Sequence, residues 1–519
     1  MYGQKDHRMK VSRYEIFLPI VGQDDREIDG KALLINGLYG AMDIVDAETA
    51  EKIQKGDLTS LPLLIRERLA LRGHITRKRE EEELTDAGVL GCVHTKLMGR
   101  KRASVVILPT YDCNFRCPYC FERHRLARGT KWLGREMKPE MVEAVFHAIA
   151  KQRDKGQIIR KCTLYGGEPL LWENRETIRD IARHAKEMDI DISCVTNGYD
   201  LDRFIPLLKE FRFKKLQITV DGVGELNDRR RLHRDGIPTY DRILNNAALA
   251  LDEGIDVHLR VNTNGENIGS IRELLDDLQM RGFLENPGKK CKSDRKGAFH
   301  TYFKAVTEPA DSPTHVTEAQ VLNAIIAAGK SPWDAMKIES QYSAPLRELV
   351  DAMKKKQFTS FSPAFCGAEE GMLVIGPDGL IYPCWNLVAM EDEAVGFTDE
   401  ETGQFIFAFS KAKWRTRTSD LMEPCRTCPY IFTCRGGCSS QAMQDSGSCF
   451  RESCGERKEI FDYAASRAAG RRWEETGEEE LSVSLSGALS RLSAAEKEII
   501  LNSTSQREIF ELAKAAGIL

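Results

Sequence analysis

Six short apolar segments alternate with amphipathic stretches through the middle of this 519-residue chain. The apolar segments have the length and composition of buried strands, and they are Val105–Leu108, Lys161–Tyr165, Asp191–Thr196, Lys215–Val220, Asp256–Asn262 and His300–Val306. The stretches between them include Glu140–Arg153, Asp241–Leu251 and Ile271–Gln279. Strands that alternate with helices predict an α/β fold, in which right-handed crossovers connect the strands of a parallel sheet.

Distinctive segments follow four of these strands. They are a cysteine triplet, Tyr165-Gly-Gly-Glu-Pro169, Thr196-Asn-Gly198 and Asp221-Gly222. Because the carboxyl ends of parallel strands meet at one edge of a sheet or barrel, we expect the ligand site there.

The segment after the first strand contains three cysteines within eight residues, Cys113, Cys117 and Cys120. Three thiolates at this C-x3-C-x2-C spacing fit around one corner of a four-iron cluster and leave the fourth iron open to an outside molecule. A structural zinc site is the alternative, but it usually closes with a fourth Cys or His, and none lies nearby at zinc-finger spacing. An iron–sulfur cluster that takes part in chemistry is the better interpretation.

The triplet resembles the signature of the radical S-adenosylmethionine (SAM) enzymes. In that family the open iron binds the amino and carboxylate groups of SAM, and reductive cleavage of SAM gives a 5′-deoxyadenosyl radical. The segment at residues 165–169 resembles the GGEP motif, in which Gly166 and Gly167 let the backbone approach a ligand and Glu168 receives the ammonium group. The resemblance implies a partial (β/α)6 barrel with a SAM-binding 4Fe–4S cluster.

Three further residues resemble SAM contacts of the family. Tyr119 corresponds to an aromatic residue that packs on adenine, and Thr219 to a small hydroxyl residue that contacts SAM. Arg231 corresponds to an arginine that pairs with the SAM carboxylate, a role that suits a planar guanidinium. Arg229 and Arg230 are alternatives for that role.

A second group of cysteines lies between residues 366 and 454. Its spacing, C-x12-G-x4-C and then C-x2-C-x5-C-x3-C, resembles the SPASM domain, which holds up to two auxiliary 4Fe–4S clusters. The resemblance implies a distal cluster on Cys425, Cys428, Cys434 and Cys454, and a proximal cluster on Cys366, Cys384 and Cys438. Cys449 is the alternative to Cys454, and a zinc ribbon is the alternative to the cluster domain.

Two positions depart from the pattern of related enzymes. Met372 stands where some SPASM enzymes have another cysteine, so the proximal cluster would keep an open iron, able to bind a substrate thiolate, unless Cys449 or another cysteine closes it. Trp385 stands where sulfatase-maturing enzymes carry an acidic base, immediately after Cys384. The loss of that base counts against formylglycine formation.

Residues 1–100 are predicted to form a separate α+β domain. Tyr14–Ile20 and Lys31–Asn36 have the pattern of a strand hairpin, and Ala47–Ile53 and Leu61–Arg72 that of short helices. This order resembles the winged-helix recognition element of peptide maturases, where a leader peptide adds as a strand to the sheet edge. A plain structural cap is the alternative.

The other predicted domain boundaries follow the motifs. Residues 101–310 form the radical SAM barrel, 311–360 a helical bridge, 361–460 the SPASM domain and 461–519 a charged helical tail.

Composition restricts the partners and the location. Hydrophobic residues make up 42% and charged residues 30% of the chain, as in a soluble globular protein. The net charge of −4 argues against a nucleic-acid partner. Since the sequence shows no apolar run of bilayer length and no signal-peptide pattern, we expect a cytoplasmic protein without a membrane partner. There its 15 cysteines would stay reduced.

These features together predict a radical SAM oxidoreductase. The predicted reaction joins a cysteine sulfur to a carbon in a ribosomally made precursor peptide, the thioether bond of sactipeptide and ranthipeptide maturases. Its partners would be the precursor, whose leader binds residues 1–100, and an electron donor such as flavodoxin or ferredoxin. Carbon–carbon crosslinking, epimerisation and formylglycine formation are alternatives, as is a non-catalytic iron–sulfur electron-transfer protein.

Overall fold

The computed structural model describes residues 9–98, 102–122, 130–284, 295–309, 311–357 and 362–519. Its strands are β1 (Lys10–Val11), β2 (Glu15–Val21), β3 (Glu27–Asn36), β4 (Met42–Asp46), β5 (Ile75–Thr76), β6 (Arg102–Ile107), β7 (Ile158–Leu164), β8 (Asp191–Thr196), β9 (Lys215–Thr219), β10 (Asp256–Thr263), β11 (Phe299–Ala305), β12 (Leu373–Ile375), β13 (Leu380–Tyr382), β14 (Gly396–Asp399) and β15 (Gln404–Phe407).

Its α-helices are α1 (Ala47–Gln54), α2 (Leu63–Arg72), α3 (Glu80–Val93), α4 (Thr130–Leu133), α5 (Pro139–Asp154), α6 (Arg175–Glu187), α7 (Leu201–Glu210), α8 (Glu225–Arg230), α9 (Tyr240–Asp252), α10 (Ile271–Met280), α11 (Glu318–Ala327), α12 (Pro332–Ile338), α13 (Ser340–Lys355), α14 (Gly367–Glu370), α15 (Ser410–Arg415), α16 (Glu423–Arg426), α17 (Ile431–Cys434), α18 (Ser439–Ser446), α19 (Arg457–Thr476), α20 (Ser486–Ser490), α21 (Ala494–Asn502) and α22 (Gln506–Ala516).

The chain divides into two compact units. Unit 1 combines residues 1–100, 341–369 and 416–519, and unit 2 combines residues 101–340 and 370–415. The predicted SPASM segment, residues 361–460, therefore contributes to both units. The five-part division predicted from the sequence is finer and stays a prediction, and the first eight residues of its N-terminal domain lie outside the described ranges.

Unit 2 is built on a ten-stranded sheet with the order β11-β10-β9-β8-β7-β6-β12-β13-β14-β15. Strands β6 to β11 are the six predicted ones, and each pairs in parallel with its neighbour. For β8 the predicted and observed bounds coincide. The α/β class and its parallel sheet are thus confirmed. Strand β12 adds in parallel beside β6, and the antiparallel strands β13 to β15 follow it.

The two faces of this parallel sheet differ in polarity. One face buries apolar side chains such as Leu216 and Leu259, as a face covered by crossover helices does. On the other face the strand register places Arg260 beside Tyr302 and Thr219. This polar face leads to the strand ends at which the predicted ligand site lies.

Unit 1 contains a three-stranded antiparallel sheet in the order β2-β3-β4. The predicted hairpin is β2 and β3, and the predicted helices are α1 and α2. Gly73 ends α2 with a φ of 87°, a conformation that favours glycine. Strand β4 is an addition that the sequence pattern did not indicate. Leu34, Val45 and Ile53 are buried in the core between this sheet and its helices.

Residues 461–519 contain the end of α19 and helices α20 to α22, and they belong to unit 1. Leu489, Ile500 and Ile509 of the tail are buried in one hydrophobic core with Tyr39 and Leu90. The two ends of the chain therefore share a core, and neither forms its unit alone.

Candidate active site and cysteine clusters

The cysteine loop, residues 110–120, follows β6 in unit 2 and is held along one side by backbone contacts. The amide of Arg116 donates a hydrogen bond to the carbonyl of Leu232 at 2.7 Å. Phe115 and His233 form an isolated antiparallel bridge beside it. The loop is therefore fixed against the segment that carries the candidate SAM-binding arginine.

The three thiols of the loop lie within electrostatic reach of one another. Burial, and then the charges of Glu168, Cys117 and Cys120, raise the pKa of Cys113. Arg231 Nη1 lies 3.4 Å from the sulfur of Cys117. In the described ranges no three His, Cys, Asp or Glu side chains are arranged around a single metal ion. A four-iron cluster does not require the three thiols to surround one ion, because each cysteine binds a different iron.

The glycines of the GGEP turn let that turn approach the cysteine loop. Gly166 has a φ of 122°, and a Cβ atom there would lie 2.8 Å from the carbonyl oxygen of Thr110. A Cβ atom on Gly167 would lie only 2.0 Å from the carbonyl oxygen of Asp112. The amide of Glu168 donates to the same Asp112 oxygen at 2.7 Å. The two motifs are thus packed backbone to backbone.

The Glu168 carboxylate lies buried at the ends of β7 and β8. It accepts hydrogen bonds from Thr196 Oγ1 at 2.6 Å, from the Asn197 amide at 2.6 Å and from the Leu170 amide at 2.9 Å. Burial outweighs these bonds and raises the pKa of Glu168 from 4.5 to about 7. A ligand ammonium group at this carboxylate would favour its ionised form.

Tyr119 and Arg231 meet two polar residues from the strand ends. The Tyr119 hydroxyl donates to the Asp221 carboxylate and accepts from Arg231 Nη1 at 3.3 Å. Asn262 Nδ2 approaches the same hydroxyl at 3.4 Å. In the part of the chain that the structure describes, the buried Nε of Arg231 has no hydrogen-bond partner. The Arg231 guanidinium therefore contacts the cysteine loop, and its Nε–H group is available to donate a hydrogen bond to a ligand.

The side chain of Arg230 makes different contacts from that of Arg231. Its Nη1 donates to Asn264 Oδ1 at 2.7 Å and to Glu266 Oε2 at 2.5 Å. Its guanidinium carbon stands 5.1 Å from the centre of the Tyr119 ring. Of the three consecutive arginines, Arg231 is the one in contact with a cluster cysteine.

The remaining predicted residue of this site, Thr219, is buried at the end of β9. Trp385, which follows Cys384, is 42% exposed. Its ring centre lies 6.1 Å from that of Tyr165, which precedes the GGEP glycines. An aromatic surface, rather than a carboxylate, therefore borders the GGEP turn at this position.

Four cysteines of the second group come together in unit 1. Burial, and then the charges of Cys434, Cys428 and Cys454, raise the pKa of Cys425 to about 12. Burial, and then the charges of Cys454 and Cys428, likewise raise the pKa of Cys434. These are the four residues of the predicted distal cluster. Cys449, the alternative ligand, is fully buried.

A buried arginine that the sequence analysis missed stabilises this cysteine loop. Arg417 is fully buried, and its guanidinium donates to Glu369 at 2.6 Å and to the carbonyls of Gly437 at 3.0 Å and Gly436 at 2.9 Å. It also donates to the carbonyl of Cys449. A single arginine looks like a surface residue in a sequence, so no local signal identifies this role.

The predicted proximal set is distributed over both units. Cys366 and Cys438 belong to unit 1 and Cys384 belongs to unit 2. Met372, at the position of the absent cysteine, is buried in unit 2. The proximal cluster stays a prediction.

The residues of the first site fit an iron–sulfur cluster and SAM. Buried thiols that raise one another's pKa are neutral when free, and iron would hold them as thiolates. The spare N–H of Arg231 is a donor for a carboxylate, because buried polar groups are normally satisfied. The ionisable Glu168 nearby is an acceptor for an ammonium group.

Comparison with known proteins identifies the class that this fold and site define. Residues 107–278 match the Radical SAM superfamily. The chain contains a radical SAM domain, the domain of a superfamily of enzymes, and this domain implies a 4Fe–4S cluster and SAM. In the described residues no helix is both long and apolar enough to cross a membrane.

Two relatives show how far the sequence similarity extends along this chain. The chain is 28% identical to GTP 3′,8-cyclase of Aliarcobacter butzleri over 191 residues, which are 36% of this chain and 54% of the cyclase. It therefore spans little more than half the length of that relative. It is 22% identical to the cysteine-type anaerobic sulfatase-maturating enzyme of Clostridium perfringens over 380 residues, 70% of this chain and 96% of that enzyme.

A solved structure shares the fold over the same range. "Native anSMEcpe with bound AdoMet and Cp18Cys peptide" aligns with a TM-score of 0.52 at 16% identity, and the alignment covers 71% of this chain and 98% of that one. The predicted resemblance to radical SAM enzymes related to anaerobic sulfatase-maturating enzymes is confirmed.

Proposed function

We propose that this chain is a radical SAM enzyme that modifies a peptide. The observation that carries the proposal is the junction of the cysteine loop, the GGEP turn and the Tyr119–Arg231 contact at the strand ends of unit 2. A peptide substrate is supported by the fold shared with a structure that holds both AdoMet and a peptide.

Each group of the site has a defined task in this proposal. Cys113, Cys117 and Cys120 hold the cluster, Glu168 receives the SAM ammonium group, and Arg231 pairs with the SAM carboxylate. When bound, the cluster and SAM supply a 5′-deoxyadenosyl radical. Tyr119 and Asp221 hold the Arg231 guanidinium toward the cysteine loop, so that its donor is oriented before the ligand arrives.

We also propose two auxiliary clusters on the second group of cysteines. The distal one uses Cys425, Cys428, Cys434 and Cys454, a set supported by the closeness of the other three thiols to Cys425, on which their charges act. The proximal one uses Cys366, Cys384 and Cys438. With Met372 in place of a fourth cysteine, this proximal site would retain room for a substrate thiolate.

The proposed product is a thioether between a peptide cysteine and a carbon atom. It is supported by the proximal set of three cysteines and by Trp385, which stands where a sulfatase-maturing enzyme has its acidic base. Reduced enzyme, SAM and a Cys-rich precursor encoded beside the gene should give a peptide lighter by two hydrogens per bridge. The Cys113→Ala, Cys117→Ala, Cys120→Ala variant is the control, and it should leave the peptide unchanged.

Formylglycine formation is the second candidate, because a cysteine-type anaerobic sulfatase-maturating enzyme aligns over 70% of this chain. That reaction removes the cysteine sulfur and leaves an aldehyde, which a hydrazide probe detects. Hydrazide labelling of the product would overturn the thioether proposal. If reduced enzyme released no 5′-deoxyadenosine from SAM, the protein would be an electron-transfer protein instead.

A further inference from the structure

A segment of the tail lies along the outer edge of β4 in unit 1, where it acts as a fourth strand. The amide of Ile44 donates to the carbonyl of Glu479 at 2.8 Å, and the amide of Leu481 donates to the carbonyl of Met42 at 2.8 Å. Asp43 and Glu480 form the antiparallel bridge between these two bonds. The edge of the sheet is therefore occupied by an extended peptide, and that peptide is part of the same chain.

Basic side chains surround the acidic part of this segment. Arg68 Nη1 lies 2.8 Å from the Glu479 carboxylate, and Arg72 Nη1 lies 3.6 Å from that of Glu480. Lys356 pairs with Glu478 at 2.8 Å. The rim of the edge is thus complementary to an acidic strand.

The residues that follow the acidic run are recognised by burial and by hydroxyl contacts. Leu481 is fully buried. Ser482 Oγ accepts from the Met42 amide at 2.8 Å and donates to the Gly40 carbonyl at 2.7 Å. Arg72 Nη2 donates to the Ser482 carbonyl at 2.7 Å. The edge therefore accepts a pattern of acidic residues, one apolar residue and one small hydroxyl residue.

The opposite edge of the sheet is closed by a helix. Ser466 of α19 donates to the carbonyl of Pro19 on β2. Gly470 packs so closely that a Cβ atom there would lie 2.0 Å from the carbonyl oxygen of Val21. A strand has no room on that side, so β4 is the edge that takes one.

We propose that the β4 edge, with Arg68 and Arg72 on its rim, is a binding site for an extended acidic peptide, and that residues 478–482 occupy it in cis. Any strand with the same pattern can make the same backbone bonds, because a sheet edge binds through main-chain groups. The identification of the competing peptide as the precursor rests on the proposed function. The preference of the β4 edge for an acidic peptide does not rest on it.

Release of the segment can be local. Residues 477–485 connect α19 to α20, and both helices have buried residues of their own in unit 1. The tethered segment competes with any incoming peptide at a high effective concentration, so it keeps the site closed to weak ligands. A partner peptide therefore binds only if it pairs with β4 more tightly than residues 478–482 do, or if the contacts of residues 478–482 with β4 are weakened.

A synthetic peptide with the sequence of residues 477–485, labelled with fluorescein, is the probe. Leu481→Pro removes the amide that bonds to β4, whereas Val483→Pro is the matched control, since Val483 is 46% exposed. By fluorescence anisotropy, Leu481→Pro should bind the probe about a hundredfold more tightly than wild type or the control, because a tethered competitor at roughly 1 mM raises the apparent Kd by about that factor when the untethered segment binds with a Kd of about 10 μM. Equal binding to all three proteins would overturn the proposal.

Two further measurements keep the test independent of the folding of one variant. Adding Arg68→Gln to Leu481→Pro should weaken probe binding, and a probe with glutamine for all three glutamates should bind poorly. Hydrogen exchange at the Ile44 amide should become fast in Leu481→Pro and slow again with saturating probe. An Ile44 amide that stays protected, or that the probe does not protect again, contradicts the site.

The outcome is separate from that of the proposed function, because anisotropy needs neither SAM nor a reductant. A protein that binds the probe but leaves the precursor unmodified would overturn the proposed function and keep this site. A protein that crosslinks its precursor but gives the same probe affinity in every variant would support the proposed function and overturn this site.

Discussion

Replacing His74 with glutamine is expected to destabilise unit 1 by about 3 kcal/mol near pH 6. The imidazole is fully buried, with Nδ1 2.8 Å from the Glu15 carboxylate and Nε2 2.6 Å from the Asp43 carboxylate. Arg72 pairs with Asp43 at 2.5 Å. Glutamine keeps a hydrogen-bonding side chain but loses the positive charge between two buried acids.

The magnitude follows from the pKa of His74. Burial opposes the charged imidazole, but the charge of Glu15 and the hydrogen bonds that the imidazolium donates to Asp43 and Glu15 outweigh burial and raise the pKa of His74 from 6.5 to about 9. At about 1.36 kcal/mol for each pKa unit, this rise corresponds to roughly 3 kcal/mol. Removing one partner of a buried ion pair costs a similar amount, about 3–5 kcal/mol.

The sign of the pH dependence is fixed by the direction of this shift. Because the pKa is higher in the folded protein, the stabilisation is complete below 6.5 and is lost as pH rises through about 9. The difference between wild type and variant should therefore be about 3 kcal/mol at pH 6, roughly 1.5 at pH 8 and near zero at pH 10. Burial raises the pKa of Glu15, whereas the hydrogen bonds and charges of His74 and Arg72 outweigh burial at Asp43 and lower the pKa of that carboxyl.

Urea unfolding of protein labelled with 5-fluorotryptophan measures the effect. Trp473 is the sole tryptophan in the residue ranges of unit 1, so its fluorine NMR signal reports that unit separately. This separation matters because two units need not unfold as one transition. His300→Gln, an exposed position in unit 2, should leave the curve unchanged. A loss below about 1 kcal/mol at pH 6, or an equal loss at pH 6 and pH 10, would refute the reasoning.

Four other substitutions test the cysteine sites. Gly167→Ala should abolish SAM cleavage and lower cluster content, because its Cβ would lie 2.0 Å from a carbonyl oxygen of the cysteine loop; full iron content would contradict this packing. Cys454→Ser should lose about four irons per chain by colorimetric iron assay, whereas Cys449→Ser should keep them; the reverse result would exchange their roles. Arg417→Met should lower the thermal stability of unit 1 by about 3–5 kcal/mol, since it leaves Glu369 buried without its partner; a change below about 1 kcal/mol would show that the contact is dispensable.

The six parallel strands β6 to β11 of unit 2 could be predicted because their signals are local, whereas strands β12 to β15 of the same sheet were not predicted. Apolar runs of strand length between amphipathic helices identify β6 to β11, and Asp191–Thr196 is matched at both ends. The distal set of cysteines comes from the resemblance to the SPASM domain and stays a prediction, although burial and the charges of its three other members raise the pKa of Cys425. Each of these features depends on residues that are near in sequence or on a motif.

The features that were missed depend on distant residues. Strand β4 is a five-residue segment with acidic residues at two positions, and its outer edge is satisfied by Glu479 and Leu481 from the far end of the chain. Arginine is usually a surface residue, and only the folded structure shows that Arg417 is buried. Local periodicity carries no information about such pairings.

The fourth strand of unit 1 has a consequence for biosynthesis. The ribosome makes Ile44 early and Glu479 near the end, at roughly 5–20 residues per second, so the β4 edge stays open for on the order of half a minute or more. During that time the edge is a template for pairing with other nascent chains. Residues 101–340 of unit 2 are continuous and are complete long before the tail emerges. Premature stop codons between residues 416 and 478 would therefore leave the residues of unit 2 complete while producing chains whose β4 edge stays uncovered and prone to aggregation.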